Sequence, residues 1–182
     1  NTGSETRVAD AIRWCIFEFE ADIISLSLGG VQDQSASREG PAVSATRQAI
    51  DAGIFVVAAA GNDGGAGDDG FVSAPGNVNL VITVGAFDKN GDTWEKSSEG
   101  GPLDSDGNPR TYPHQKPELT APGVDILSTG EDDQWYTSSG TSDATVFVTG
   151  ALSLILEAHP ELRPTEGSTT SCIELVLSLI HI

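Results

Sequence analysis

Apolar residues recur at Val8, Ile12, Cys15, Ile16 and Phe19, the three-and-four spacing of one helical face. Thr2 and Glu5 stand at capping-box spacing ahead of that run, so a helix is predicted from the start of the chain. "ADIISLSLGG", residues 21–30, reads as a β-rich strand stopped by two glycines. "AVSATRQAIDAG", residues 42–53, predicts a second helix with Gly53 at its C-terminal end. "IFVVAAAGN" (54–62) and "LVITVGAF" (80–87) are continuous apolar runs of strand length, as expected where both faces of a sheet are covered. From Ala144 to Leu156 nearly every residue is apolar, which predicts a helix covered on most sides. Thr141 and Ser142, ahead of it, fall where N-cap chemistry is expected.

Strand–helix–strand units of this length predict an α/β fold with a mainly parallel sheet and helices on its faces. Gly/Asp-rich loops separate the elements, and no internal repeat or composition shift marks a second domain. "DKNGD" at 88–92 and "DSDGN" at 104–108 lack the spacing of a helix–loop–helix calcium site and read as tight turns. Cys15 and Cys172 make no disulfide framework, and Cys15 on its helical face reads as a small core residue.

Charge narrows the partners. The 182 residues carry 27 Asp and Glu against 9 Lys and Arg, a net charge of −18. Such a surface repels nucleic acid and anionic lipid, so neither is an expected partner. Few lysines with excess carboxylate suit a protein working in high salt, where screening removes self-repulsion. The run at 144–156 is too short to cross a membrane and ends in Glu157 and His159. The chain opens on Asn1 and reads as starting inside a longer frame, so it bears on no signal peptide.

Candidate chemistry gathers at three element ends. Asn62 ends a buried strand, where ligands of parallel sheets collect. "SLSLGG" ends another strand beside a Gly-Gly that admits a close ligand. "SGTSDA" sets Ser142 at a helix N-terminus, whose free N–H groups favour a developing oxyanion. An Asn amide facing the Ser142 backbone N–H would make an oxyanion hole.

These segments, with "SAPGNVNLVITVGAFD", "KPELTAPGVDILST" and "SGTSDATVFVTGALSLILEAHPELRPTE" in collinear order over about residues 5–166, resemble the subtilases, the subtilisin-like serine proteases. The resemblance implies a three-layer subtilisin-like fold, incomplete at its N-terminal side, and a serine endopeptidase acting on protein or peptide substrates. It implies Ser142 as nucleophile and Asn62 as oxyanion partner. Ser27, Leu28 and Gly29 would pair with an extended substrate and form one wall of the specificity pocket. Ala59, Ala60 and Gly61 would form the other wall, with Ser73 near its floor, and Pro75 falls where the family has a proline, often cis. It also implies a secreted or cell-surface monomer. No cofactor is implied for the chemistry and no metal ligand is assigned, while structural calcium stays open.

This chain departs from the family pattern at Val146, where a proline is usual, and at Asp143, which puts a carboxylate beside the nucleophile. The Asp and His of the triad are expected upstream of residue 1, so the fragment is expected to be inactive alone. His159 lies 17 residues beyond Ser142, roughly 25 Å along a helix. His114 and His181, in a polar loop and in the tail, are no better placed. Residues 1–166 are read as a partial peptidase domain and 167–182 as an unreliable tail, its last "LSLIHI" resembling a translated sequencing adapter. Two other readings compete. The sedolisin group shares a Gly-Thr-Ser motif but has Asp as oxyanion partner, which Asn62 argues against. A non-catalytic relative serving as a binding or structural module would lack the upstream His and Asp.

Overall fold

The computed structural model describes residues 2–30, 40–66, 71–101, 109–111, 115–164 and 173–174. The main chain runs α1 (Thr2–Phe17), β1 (Ile23–Leu26), α2 (Pro41–Asp51), β2 (Phe55–Ala59), β3 (Ile82–Phe87), β4 (Leu119–Pro122), β5 (Ile126–Thr129), β6 (Trp135–Ser138) and α3 (Thr141–Ala158). Strands β1 to β4 form one parallel sheet in chain order, and β5 and β6 a separate antiparallel hairpin.

The alternation of side chains along β2 builds three layers. Val56 and Ala58 face α1 and α2, in a cluster with Ala9, Ile12, Ile16, Ala45, Ala49 and Ile50. Phe55 and Val57 face the opposite way, joining Val84, Ala86 and Leu119 against Ala144, Val148, Leu152 and Leu156 of α3. All five residues of β2 are buried, which is why its sequence shows no polar alternation. Gly53 follows α2 at φ 82°, the left-handed geometry that stops a helix, and turns the chain into β2.

Four local expectations change. Phe19 lies beyond the end of α1, 65 % exposed, and stacks on Trp14 with ring centroids 5.5 Å apart. α1 already includes Thr2, starting one residue earlier than it would with Thr2 as its cap, and the Glu5 carboxylate packs against Gly40 at the head of α2. α3 is apolar on nearly every side yet buried only along the stripe Thr141, Ala144, Thr145, Val148, Leu152 and Leu156. Val146, Phe147 and Leu154 stand exposed on its other side, because α3 packs on the single sheet with one face. The cap is Gly140, with no side-chain cap bond, so Thr141 and Ser142 are already inside the helix. Ala74–Pro75 and Lys116–Pro117 are cis.

The 88–92 segment is a tight turn. Asp88 takes the Asn90 and Asp92 amides on its carboxylate at 2.8 and 3.0 Å, and the Asn90 amide is the main cause of its lowered pKa. The 104–108 segment, His114, Cys172, His181 and the adapter-like 177–182 lie outside the described residues. Within the 167–182 tail, Ile173 is 1 % exposed and belongs to the cluster beneath α3.

Candidate active site

The carboxyl ends of β1 and β2 and the N-terminus of α3 meet at one place. Just past β2 the chain leaves the sheet through Ala60 and Gly61, and Asn62 emerges at the surface. Gly61 has φ +115°, and a Cβ there would fall 2.6 Å from Ser73 Oγ and 2.8 Å from Ser98 Oγ. Only glycine fits both the backbone and the space. Ser98 braces this turn from behind, donating its amide to the Gly61 carbonyl at 3.0 Å and accepting the Asp63 amide at 3.1 Å.

Thr141 closes the site from the helix side. Its amide donates to Asn62 Oδ1 at 3.0 Å and its hydroxyl donates to the same oxygen at 2.9 Å. The hydroxyl oxygen in turn accepts the Gly61 amide at 3.1 Å. The Thr141 N–H on Oδ1 defines which way the Asn62 amide lies, because the reverse orientation would oppose NH₂ to N–H; the hydroxyl proton can turn to Oδ1 or to the Gly61 carbonyl at 3.2 Å. The Asn62 Nδ2 is thereby the end turned toward Gly140. A Cβ built on Gly140 would lie 3.4 Å from Asn62 Nδ2 and 3.6 Å from the Ser142 amide nitrogen, so both donors border one small space beside the helix start.

Ser142 adjoins this space in the first turn of α3. Its hydroxyl donates to the Ser27 carbonyl at 3.3 Å, and Ser27 Oγ donates back to the Ser142 carbonyl at 3.0 Å. Gly140 is held in place by its amide, which donates to the Gly123 carbonyl at 2.8 Å.

The two wall segments converge on Ser73. A Cβ on Gly29 would meet Ser73 Cβ at 2.6 Å, the Ser73 amide donates to the Ala60 carbonyl at 2.7 Å, and Gly30 and Ala74 exchange both backbone bonds at 3.1 Å. Ser27, Leu28 and Gly29 are exposed beyond the end of β1, while Ala59 and Ala60 are buried. Of the histidines, His159 sits past the far end of α3 and pairs with Glu161 at 3.0 Å, away from Ser142.

Where β3 and β4 begin lies a fully enclosed ion pair that periodicity gave no sign of. Lys116 Nζ stands 2.6 Å from Glu118 Oε1 and donates to the Val81 carbonyl and to Thr83 Oγ1 at 2.7 and 2.9 Å. Glu118 Oε2 accepts the Thr83 amide at 2.8 Å, and Thr83 Oγ1 reaches the Gly76 carbonyl at 2.5 Å. Burial pushes the Lys116 pKa down to about 8, against the opposing pull of Glu118.

Residues 1–176 match the profile of the Subtilase family (Peptidase S8), and the chain belongs to that family. It is 35 % identical to the serine protease AprX of Bacillus subtilis (strain 168), over 91 % of this chain and 41 % of that protein. It is 33 % identical to subtilisin DY of Bacillus licheniformis, covering 91 % and 53 % of the two chains. An intracellular serine protease of Paenibacillus polymyxa is 40 % identical over 76 % of this chain and 37 % of its own length. Among solved structures, Sphericase superposes with a TM-score of 0.73 at 27 % identity, covering 96 % of this chain and 55 % of that one. The chain spans about half the length, or less, of the curated relatives it matches.

Proposed function

We propose that this chain is the nucleophile-bearing half of a serine endopeptidase, with Ser142 as nucleophile and Asn62 as oxyanion donor. The observation that carries the reading is the pair of hydrogen bonds from Thr141 to Asn62 Oδ1, which leaves Nδ2 and the Ser142 N–H bordering the same space. Attack of Ser142 Oγ on a substrate carbonyl would move negative charge onto an oxygen in that space, where two fixed donors stabilise it without reorganising. The Ser142 proton goes to a base, which in this reading is a histidine paired with an aspartate on a segment upstream of this chain.

An extended peptide fits along Ser27, Leu28 and Gly29, with one side chain entering between those residues and Ala59, Ala60, Gly61 and Ser73. The entrance is backbone, Ala, Gly and Ser, so the pocket favours a medium or large apolar side chain, with Asp63 at its rim. Work on proteins outside the cell, at high salt and as a monomer, belongs to the same proposal. Any structural calcium would be held elsewhere than at these residues.

The test is labelling by a fluorophosphonate. With the upstream segment present the probe modifies Ser142 and not a Ser142→Ala variant, and the chain 1–182 alone reacts far more slowly. Equal labelling of the bare chain would contradict the need for an upstream base. Absence of labelling in the completed domain would favour a binding module.

A further inference from the structure

Asp143 is the one charged side chain in the first turn of α3, and the proposed mechanism makes no use of it. Its Oδ1 accepts a hydrogen bond from Ser138 Oγ at 2.5 Å, which ties the end of β6 to the helix. Its other oxygen, Oδ2, lies 3.5 Å from the point beside Gly140 that Asn62 Nδ2 and the Ser142 amide nitrogen also border at 3.4 and 3.6 Å. A carboxylate therefore shares the rim of the space assigned to the oxyanion. Among the described residues none of the ion pairs involves Asp143.

A fixed negative charge at that position opposes the negative charge formed on the substrate oxygen. The opposition falls if a cation sits against Oδ2 while the substrate is bound, and the substrate itself is the available source. The side of the approach follows from the contacts. Ser142 exchanges its bonds with Ser27, at the head of the acyl-side wall, whereas Asp143 is bonded to Ser138 at the end of the β5–β6 hairpin. The carboxylate thus flanks the nucleophile away from the Ser27–Gly29 wall, toward the departing part of the substrate.

We infer that Asp143 is a specificity-determining residue that selects peptides with Lys or Arg immediately after the scissile bond. The inference rests on the protease reading above. A basic side chain there neutralises the carboxylate beside the oxyanion space, and an acidic one adds a second like charge to it. The pairing is partly exposed, because Asp143 is only half-buried, so added salt weakens it.

The experiment uses the full-length protein and fluorogenic peptides identical except for Lys, Ala or Glu after the scissile bond. For the unaltered enzyme kcat/KM should fall from Lys to Ala to Glu by about fivefold at each step, the upper scale of one partly exposed charge contact. Asp143→Asn keeps the acceptor for Ser138 and should bring the three substrates within about threefold, chiefly by raising the rate on the Glu peptide. Should that variant fold poorly, raising KCl on the unaltered enzyme gives an independent reading, and the Lys-over-Glu ratio must shrink. A ratio that survives in Asp143→Asn or is indifferent to salt overturns the inference, as does hydrolysis of all three at one rate. Hydrolysis of none of these or any other peptide would instead overturn the protease reading.

Discussion

At the scale of single residues, Gly140 and Gly61 look alike in sequence and differ in consequence. Gly140 is extended at φ 175°, a conformation open to any residue, and a Cβ there makes no contact shorter than 3.4 Å. Gly140→Ala should therefore fold normally and lose most of its activity, because the methyl fills the space bordered by Asn62 Nδ2 and the Ser142 amide. Gly61→Ala forces a Cβ onto a φ of +115° and to within 2.6 and 2.8 Å of two serine hydroxyls, and should cost stability first, by about 1–3 kcal/mol. Urea midpoints beside peptidase assays separate the two. That Ser142 and Asn62 stand at neighbouring element boundaries was legible because each adjoins an element whose hydrophobic pattern is strong. The role of Thr141 was not. A threonine at a helix start reads as a cap, and only the approach of β2 shows that its hydroxyl turns to Asn62 instead.

Among the elements, β2 and β3 were readable as buried strands because their apolar runs are unbroken. β4 was missed, being four residues with alternate positions exposed and a proline at its end. The β5–β6 hairpin was missed because β6 is exposed throughout and β5 nearly so, leaving no alternation to read. The apolar character of α3 misled in the other direction, since hydrophobicity around the helix says what can be buried and not what is. The ion pair leading into β4 sets a sharper test. Lys116→Met leaves the Glu118 carboxylate buried without a counter-ion and should cost about 3–5 kcal/mol, most of it recovered by adding Glu118→Gln. The native Lys116 pKa, about 8, lies below the ordinary 10.5. Between those values the unfolded chain holds more proton than the folded one, so this group's contribution to stability rises with pH across that window. Denaturation midpoints at pH 7.5 and 10 should show the rise in the native protein and lose it in the double variant.

On the scale of the whole molecule, charge and exposed apolar surface pull apart. A net charge of −18 over 182 residues sets carboxylate against carboxylate, and raising KCl from 0.1 to 1 M shortens the Debye length from about 10 to 3 Å. The melting temperature should rise over that range, and a fall would argue against a high-salt setting. Val146, Phe147 and Leu154 on α3, and the edge of β1 that no strand among the described residues pairs, present surface that suits the remainder of a longer domain, in keeping with relatives about twice this length. The central claim joins three residues, so a double-mutant cycle on the completed domain tests it most directly. Asn62→Ala should lower kcat about 10²–10³-fold, the range known for removing this kind of donor from a subtilisin. Thr141→Val removes the hydroxyl bond to Asn62 Oδ1 and keeps the backbone one, and should cost about tenfold by loosening the amide's position. Since Thr141 acts through Asn62, the double variant should be no slower than Asn62→Ala alone. Multiplying losses, or an Asn62→Ala enzyme as fast as the native one, would contradict the account.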